Sequence, residues 1–376
     1  MSLKWTAAMG AAVEGERLER LVASPQWREG RFVNVLPRED PTNWSAMREF
    51  ITGGSKHRVP KVELPIVRRT GSEFAAPPEG GLRVTWLGHS TSLVEVDGHR
   101  LLLDPVFGPR VSPLAWAGPK RFHAPPLPLS DLPALDAVVI SHDHYDHLDY
   151  PSIVQLAALD LPFVVPLGVG AHLELWGVRP ERITELDWWE SHRLRGMELT
   201  ATPARHFSGR GVSAGSRDKT LWAGWAVRTA EHRVWFSGDT AMFPGFAEIG
   251  ERLGPFDLAM VEAGAYDALW RDVHIGPEQA MLACEMVRAK VVLPVHWGTF
   301  NLALHGWTEP IERIVRAARA TGLTLTTPRP GESVELGRAL PSEKWWPDLP
   351  WEDAKEAAVV SSALDDALVQ RIRALV

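Results

Sequence analysis

The sequence predicts an α/β fold in which two β-sheets pack face to face between outer layers of helices, that is, a four-layer αββα sandwich. Strand-like segments come in two successive series. In both series, strands that can pair as hairpins precede strands that alternate with helical segments, a pattern typical of two packed sheets. A dense cluster of histidines and acids follows one short apolar strand and predicts a metal site at a sheet edge.

Changes in composition along the chain predict three parts. With 376 residues, the chain is long enough for one catalytic domain with extensions at both ends. We expect a wrapping arm at residues 1–80, rich in Arg, Pro and Trp, with one short helix at Asn43–Ile51. The catalytic domain is predicted at 81–337. The tail at 338–376 is predicted to hold one or two amphipathic helices within Glu352–Leu375, packed on the body.

The first series contains five predicted strands, identified from apolar runs between turn signals. They lie at Leu82–Trp86, Ser92–Val96, Arg100–Leu103, Ala137–Ile140 and Phe163–Pro166. Asp97 and Gly98, between the second and third of these strands, predict a two-residue hairpin turn. The remaining strands are separated by longer segments, which leaves room for crossover connections.

The second series contains six predicted strands and two predicted helices. The strands lie at Met197–Thr202, Leu221–Val227, Arg233–Ser237, Leu258–Val261, Val291–Val295 and Leu323–Thr326. One helix begins at Pro277, a favourable residue in the first turn. The other begins after Thr308 as its N-terminal cap, runs through Arg319 and stops at Gly322.

Composition and charge exclude several classes of protein. The net charge is −7 with acids and bases interspersed, so we expect no nucleic-acid partner. The one cysteine, Cys284, excludes an intramolecular disulfide and is predicted to be a core residue. Met1–Gly15 lacks the features of a signal peptide and no segment is apolar enough to span a membrane, which predicts a cytoplasmic protein. The 17 tryptophans are expected mainly in the core; peripheral contact with the inner membrane face and a homodimer both stay open.

Residues 141–149 read Ser-His-Asp-His-Tyr-Asp-His-Leu-Asp and directly follow an apolar strand. On a loop after a strand, His142 and His144 can turn toward one point, while Asp146 and His147 face a neighbouring point. One loop would therefore supply ligands to two adjacent metals.

Three further candidate ligands stand at the ends of later strands and so share one topological position. They are His206, Asp239 and His296. A lone histidine is more often an ordinary surface or core residue, but three strand-end residues together with the primary cluster favour a metal centre. Asp239 lies between small residues, and the two oxygens of its carboxylate can bridge two cations.

The order of these seven ligands resembles that of the metallo-β-lactamase fold superfamily, so the predicted sandwich is of the metallo-β-lactamase type. Further motifs are similar to those of the N-acylphosphatidylethanolamine-hydrolysing phospholipase D group. They are Trp86-Leu-Gly-His-Ser-Thr, Leu103-Asp-Pro-Val-Phe, Gly118-Pro-Lys-Arg-Phe122, Ile140-Ser-His-Asp-His-Tyr-Asp-His-Leu-Asp-Tyr150, Glu185-Leu-Asp-Trp-Trp-Glu190, Gly254-Pro-Phe-Asp-Leu258 and His296-Trp-Gly-Thr-Phe300. The likeness extends from about Gly30 to Glu335, and the tail lies outside it.

The resemblance implies a centre with two zinc ions, with manganese or iron as alternatives. By this resemblance His142, His144 and His206 would hold one ion, Asp146, His147 and His296 the other, and Asp239 would bridge them. A hydroxide between the metals would then be the nucleophile, and Asp146 and Asp239 would be catalytic residues as well as ligands. Metal binding lowers the pKa of water to roughly 7, and two cations about 3.5 to 4 Å apart stabilise attacking and developing oxyanions together.

Five further residues are predicted to support the site. Asp104 and His89 are expected behind the ligands, where a carboxylate can orient a ligand imidazole; an ordinary turn aspartate and a structural histidine are the alternatives. His274 matches a family histidine near the substrate and is predicted to protonate the leaving alkoxide or to bind an anionic oxygen. Arg205 and Tyr266 are predicted to bind the substrate. Arg205 lies in a basic loop, for which the alternative interpretation is an ordinary solvated loop.

The motifs around the ligands predict that the substrate is a phosphodiester in an N-acylated phospholipid, with phosphatidate and an N-acylethanolamine as products. Glu262, an acid expected near the pocket, disfavours an anionic lipid. The alternative is a lactonase or esterase acting on a small phosphorylated metabolite, resembling the ascorbate-6-phosphate lactonase branch of the fold. A non-catalytic metal-binding or scaffold protein is a third reading, against which the complete ligand set argues, since a structural zinc site needs four ligands and one metal.

Overall fold

The computed structural model of the protein describes residues 4–39, 53–211 and 214–376. Two mixed β-sheets of seven strands each form its centre. The helix predicted at Asn43–Ile51 lies outside the described residues.

The first sheet has the strand order β16-β3-β4-β5-β6-β7-β8. Its strands are β3 (Leu82–Gly88), β4 (Thr91–Val96), β5 (His99–Leu103), β6 (Ala137–Val139), β7 (Phe163–Pro166), β8 (Ile183–Leu186) and β16 (Ser333–Glu335). Asp97 and Gly98 form the predicted hairpin turn, because both have positive φ angles of 45° and 83° and Val96 pairs with His99. From β5 to β8 the strands are parallel.

The second sheet has the strand order β15-β14-β13-β12-β11-β10-β9. Its strands are β9 (Ser191–Leu194), β10 (Met197–Thr202), β11 (Gly224–Arg228), β12 (Arg233–Phe236), β13 (Phe256–Glu262), β14 (Ala289–Val295) and β15 (Thr324–Leu325). The strands from β9 to β12 are antiparallel and those from β12 to β15 are parallel. In both sheets the parallel half places successive carboxyl ends at one edge, where ligands usually bind.

Helices cover the outer faces of both sheets. The α-helices are Lys4–Ala8, Gly15–Val22, Tyr150–Ala157, Gly170–Leu175, Gly245–Arg252, Pro277–Met286, Glu309–Thr321 and Asp366–Arg373, with shorter 3-10 turns at Gly71–Phe74, Leu129–Asp131, Pro180–Arg182, Ala214–Ser216 and Ala268–Trp270. A separate two-stranded hairpin, β1 (Trp27–Arg28) with β2 (Arg31–Phe32), lies in the arm. The predicted four-layer αββα sandwich is therefore confirmed.

The hydrophobic core lies mainly between the sheets. Val84 and Leu101 of the first sheet share one buried cluster with Trp225 and Trp235 of the second. Trp225 also donates its indole N–H to the carbonyl of Ile140 at 2.9 Å, which ties the second sheet to the residue before the histidine-rich motif. Cys284 lies in the same cluster and is fully buried, as predicted.

Tryptophan stacking joins the tail to the body. Trp86, Trp297 and Trp345 stack in sequence, with ring centroids 5.5 Å and 5.2 Å apart. Trp345 belongs to the tail and Trp297 directly follows the candidate ligand His296. Most of the tryptophans described are packed as expected, and Trp116 is the clear exception at 77% exposed.

The structure corrects several sequence predictions about helices. Thr308 does not cap its helix, because its backbone is already helical and its hydroxyl makes no capping hydrogen bond, whereas Gly322 ends that helix in the left-handed region, as predicted. Tyr150–Ala157 forms an unpredicted helix, capped by Asp149. This helix is only eight residues long and directly follows the histidine-rich motif, so its apolar periodicity is too short to be recognised.

The arm also contains helices that the sequence pattern did not reveal. Lys4–Ala8 is five residues long, too short to form without tertiary contacts. Its last turn is held from outside, since the carbonyl of Ala8 accepts two hydrogen bonds from Arg210 and that of Ala7 accepts one from Trp176. Across the described residues, none of the helices combines the length and the apolar character that crossing a lipid bilayer requires.

We predict that Arg313→Ala lowers the free energy of unfolding by about 3 kcal/mol, because it leaves Glu278 buried without its cation. The guanidinium is 1% exposed and donates to both oxygens of Glu278 at 2.9 and 2.8 Å, which joins two helices. Arg316→Ala, on the same helix, is the matched control: its side chain is 48% exposed and paired with Asp353, so we expect a loss of under about 1 kcal/mol. Urea unfolding measures both, and equal losses would contradict the prediction.

Candidate metal centre

The histidine-rich motif lies on the loop between β6 and the helix Tyr150–Ala157, and contacts from both sides hold this loop. Asp104, at the end of β5, accepts a hydrogen bond from the Ser141 backbone N–H at 2.7 Å. Arg210, fully buried on the other side, donates to the carbonyls of Asp143 and Leu148 at 2.6 and 2.7 Å. The loop is therefore fixed at its start, middle and end.

The first group of candidate ligands brings four side chains to one point. Its members are His142, His144, His206 and Asp239, whose donor atoms lie within 4.8 Å of one another. His144 Nδ1 is 2.9 Å from His142 Nε2 and 3.2 Å from His206 Nε2. Three imidazole nitrogens and one carboxylate oxygen at such distances match the ligand number of a four-coordinate zinc site.

The second group lies beside the first and contains the other predicted ligands. Its members are Asp146, His147 and His296, together with His89. Asp146 Oδ2 is 3.2 Å from His296 Nε2 and 3.6 Å from His147 Nε2. The motif loop thus divides between two points, with its first two histidines in one group and its third in the other, as the spacing predicted.

Asp239 stands between the two groups. Its Oδ2 atom lies 3.1 and 3.2 Å from the Nε2 atoms of His147 and His296, and 3.8 Å from those of His142 and His206. One carboxylate therefore reaches donors of both groups. This position is the one required of a ligand that bridges two cations.

Several buried polar atoms of the site have no hydrogen-bond partner among the described residues. They include both oxygens of Asp239 and the Nε2 atom of His147. Buried polar atoms are almost always satisfied in native proteins, so unpartnered atoms that face a shared point call for a missing partner. A divalent cation accepts electron pairs from nitrogen and oxygen alike, and the residues present therefore fit a pair of such ions.

The second nitrogens of the candidate ligands are held by neighbouring groups, which fixes the orientation of the rings. His147 Nδ1 is 2.6 Å from Asp104 Oδ2, the contact expected of an orienting carboxylate. His206 Nδ1 is 2.6 Å from the carbonyl of Val273, and His142 Nδ1 is 2.9 Å from the hydroxyl of Ser141. Such outer contacts leave Nε2 of each ring free to face a metal.

His89 lies closer to the centre than the sequence analysis assumed. Its Nε2 atom is 3.0 Å from Asp146 Oδ2. Its backbone carbonyl accepts the N–H of His296 at 3.0 Å, which connects the rims of the two sheets. His89, Asp104 and His296 have φ angles of 54°, 38° and 66°. Non-glycine residues rarely adopt this left-handed region, and they keep it only where the surrounding structure holds them there.

Burial and mutual attraction perturb the pKa values at the centre in opposite directions. Burial alone would raise the pKa of Asp239, but the charges of His147 and His296 outweigh it and hold that pKa well below its usual value. Burial lowers the pKa of His296, but Asp239 and Asp146 outweigh it and raise that pKa to about 10. Burial and the adjacent His296 lower the pKa of His89 to about 3. The Asp239 carboxylate therefore stays ionised, as a metal ligand must.

His274 lies at the open side of the centre. Its Nδ1 atom is 3.8 Å from Asp239 Oδ2 and forms a hydrogen bond with Glu262. The His274 side chain is 16% exposed, whereas most candidate metal ligands are almost fully buried. Burial is the main cause that lowers the pKa of His274, to about 4. His274 therefore lies beside both ligand groups with part of its ring accessible, and its contact with a substrate stays a prediction.

The structure disagrees with a substrate-binding role for Arg205. Its side chain is 1% exposed and its guanidinium lies 3.0 Å from Asp272 Oδ1. It also donates to the carbonyls of Met242 and Ser362 at 3.2 and 3.0 Å. Arg205 therefore joins the body to the tail, and both terminal nitrogens of its guanidinium have protein partners in place of a phosphate. Sequence reasoning cannot detect this, because these partners are distant along the chain.

Tyr266 is likewise committed to packing. Its hydroxyl donates to Glu309 at 2.8 Å, and its ring stacks on His305 with centroids 4.5 Å apart. Tyr266 is 3% exposed and borders a cavity of about 750 Å³ that His305 also lines. Substrate contact through the Tyr266 hydroxyl would require that this hydrogen bond be broken, which does not favour the predicted role.

Comparisons with known proteins agree with this geometry. The family model described as a beta-lactamase superfamily domain matches residues 99–297, about half of the chain. An uncharacterized protein of Mycobacterium tuberculosis is 44% identical over 338 residues, which cover 86% of this chain and 87% of that protein. N-acyl-phosphatidylethanolamine-hydrolyzing phospholipase D 1 of Caenorhabditis elegans is 40% identical over 251 residues, covering 64% of this chain and 69% of that protein.

A solved structure has the same architecture. The metallo hydrolase Igni18 of the archaeon Ignicoccus hospitalis is 25% identical, with a TM-score of 0.52 over 69% of this chain and 99% of that chain. The family match runs from His99, the first residue of β5, to Trp297, and therefore includes all seven candidate ligands and the strands that precede them. With the two ligand groups and the αββα layers, these matches show that the chain belongs to the β-lactamase superfamily of metal-dependent hydrolases, where it resembles the N-acyl-phosphatidylethanolamine-hydrolyzing phospholipase D group.

Proposed function

We propose that the protein is a dinuclear metal-dependent phosphodiesterase of phospholipase D type that acts on N-acylphosphatidylethanolamine-like lipids. The observation that carries the proposal is the position of Asp239, whose carboxylate reaches donor atoms of both ligand groups. A closed structural site would need only one group of four ligands. The choice of substrate is supported by the likeness to the C. elegans phospholipase and by the motifs around the ligands.

Two divalent cations, for which zinc suits the mixed nitrogen and oxygen donors, would activate a water molecule and stabilise charge on the phosphoryl oxygens. The chain itself orients the ligands through Asp104, Ser141 and the carbonyl of Val273. His274, at the exposed edge, is placed to contact an oxygen of the substrate or of the leaving group. The buried surroundings exclude bulk water and strengthen these polar interactions.

The candidate ligands lead to a first test. We expect His142→Ala and His296→Ala each to lose bound metal and nearly all diester hydrolysis, because each removes a donor from one group. His274→Ala should keep both metals and lower turnover by about 10²-fold. Metal content by mass spectrometry and turnover of bis(p-nitrophenyl) phosphate measure these effects. Full metal content in either of the first two variants would contradict the ligand assignment.

Product identification tests the substrate. We expect the zinc-loaded protein, incubated with a total lipid extract, to release N-acylethanolamines and phosphatidate, as measured by mass spectrometry. The metal-deficient His142→Ala variant is the control. A lactonase or esterase acting on a small phosphorylated metabolite is the second candidate, supported by Glu262, a buried acid beside His274 that none of the motifs shared with the phospholipase group includes. Lactone opening without any lipid product would favour that alternative.

We also propose that the loop at residues 109–120 contacts the lipid surface. Trp116 at its tip is the most exposed of the large apolar side chains described, and Lys120, which pairs with Arg110 at the base of the loop, is also exposed. The base of the loop lies next to the metal centre: Val111 packs with Phe300, whose ring is 5.1 Å from that of His89. Indole rings and cationic side chains favour the interface of an anionic bilayer.

We predict that Trp116→Ser weakens binding to vesicles of phosphatidylcholine and phosphatidylglycerol about tenfold, which corresponds to roughly 1.4 kcal/mol. Leu175→Ser, a change at another exposed apolar residue, is the matched control and should leave the affinity unchanged. Vesicle sedimentation measures both. Equal affinity of wild type and Trp116→Ser would exclude the loop as a lipid contact.

A further inference from the structure

Glu262 is a fully buried acidic residue at the end of β13, beside Asp239, His274 and His296 of the candidate centre. None of the motifs that identify the seven candidate ligands includes it. A buried carboxylate is costly unless every oxygen is hydrogen-bonded or paired. The contacts of its two oxygens therefore indicate what this side chain does.

One oxygen of Glu262 is used to hold the loop that carries Asp239. Its Oε2 atom accepts the backbone N–H of Thr240, the residue after Asp239, at 2.7 Å. The backbone N–H of Glu262 donates to the hydroxyl of Ser237 at 2.9 Å, before Asp239. One contact thus anchors the carboxylate of Glu262 and the other its backbone, on either side of Asp239.

The other oxygen, Oε1, faces two imidazole rings. It forms a hydrogen bond with His274 Nδ1 and lies 3.7 Å from His296 Nδ1, beyond hydrogen-bond distance. His274 is therefore its close partner. The Nε2 atom of His274 forms no hydrogen bond with any residue in the described ranges. The His274 side chain is also 16% exposed.

We propose that Glu262 is a positioning residue for His274. By accepting the Nδ1–H of His274, the anchored carboxylate fixes the ring so that Nε2 faces the open side, where the substrate enters. This inference rests on the proposed hydrolase function, in which His274 contacts the substrate. Without such a partner, an imidazole rotates about its Cβ–Cγ bond, and a misplacement of about 1 Å can cost about 10²-fold in rate.

A ligand role for Glu262 is the competing interpretation. Asp239, Glu262, His274 and His296 have donor atoms within 4.8 Å of one another and could in principle hold one cation. However, Asp239 and His296 already belong to the other two groups. Oε2 of Glu262 is also occupied by the N–H of Thr240, and Oε1 by His274. The contacts favour orientation of the ring over coordination of a metal.

The test is a double-mutant cycle on the zinc-loaded full-length protein, with bis(p-nitrophenyl) phosphate as probe. We expect Glu262→Ala to lower kcat by about 10- to 100-fold with KM changed less than about threefold. In the His274→Ala background, the same change should alter kcat less than about twofold, because Glu262 acts only through His274. An equal loss in both backgrounds would overturn the proposal.

A second variant covers the case in which Glu262→Ala does not fold. Glu262→Gln keeps the volume and an oxygen for the Thr240 N–H, but turns an amide N–H₂ group toward His274 Nδ1. We expect it to lower kcat in the wild-type background only. Unchanged kcat would overturn the proposal.

Glu95→Ala is the matched control for loss of a buried carboxylate. Glu95 is 2% exposed and pairs with Arg83 and Arg100 in the other sheet. This variant should reduce stability without changing kcat.

Two readouts are independent of turnover. The absorption spectrum of the cobalt-substituted protein should be the same in wild type and Glu262→Gln, and a changed spectrum or metal count would mean that Glu262 acts on the metals instead. A crystal structure of Glu262→Gln should show the His274 ring rotated or in two orientations, and an unmoved ring would overturn the inference. If the wild type turns over no diester at all, the proposed function fails, while the ring orientation still decides the role of Glu262.

Discussion

The carboxylate of Asp239 is the constraint on which the rest of the structure depends. It is almost fully buried, and neither of its oxygens has a hydrogen-bond partner among the described residues. Burying this charge costs several kcal/mol unless positive charge lies beside it, either on the rings of His147 and His296 or on bound cations. The surrounding nitrogens at 3.1 to 3.8 Å show where that charge belongs. Binding of cations and stability of the rim are therefore coupled, since binding free energy adds to folding free energy.

Both sheets contribute residues that hold the candidate ligands in place. Asp104 and the motif loop come from the first sheet, whereas Asp239 and His296 come from the second. Cross-sheet hydrogen bonds join them, from Trp225 to Ile140 and from the N–H of His296 to His89. Residues with left-handed backbone conformations at the rim persist because these surroundings determine their geometry. The donor atoms lie on loops that begin at the ends of packed strands, and these contacts hold the loops in place.

The arm and the tail support the site through two arginines, one of which the sequence analysis had assigned to the substrate. Arg205 was predicted to meet a phosphate, yet it pairs with Asp272, which also accepts hydrogen bonds from Glu39 of the arm and Ser362 of the tail. Arg210 fixes the motif loop and the carbonyl of Ala8 in the arm. Both arginines lie close in sequence to His206. Their burial means that the segments outside the sandwich support the ligand loops from behind.

The sequence by itself determined the two series of strands, the αββα class and the ligand candidates, because these are local patterns: apolar runs, turn residues such as Asp97 and Gly98, and histidines at strand ends. For Asp104 it left two possibilities, an orienting carboxylate and an ordinary turn aspartate, and the contact with His147 Nδ1 favours the first. Only the tertiary structure decided which groups meet. Glu262 contacts His274 across a loop, Val273 offers its carbonyl to His206, and Arg205 turns away from the site toward Asp272. The physical reason is that hydrogen-bond partners and burial depend on distances between segments far apart in the chain, and no spacing along the sequence encodes those distances.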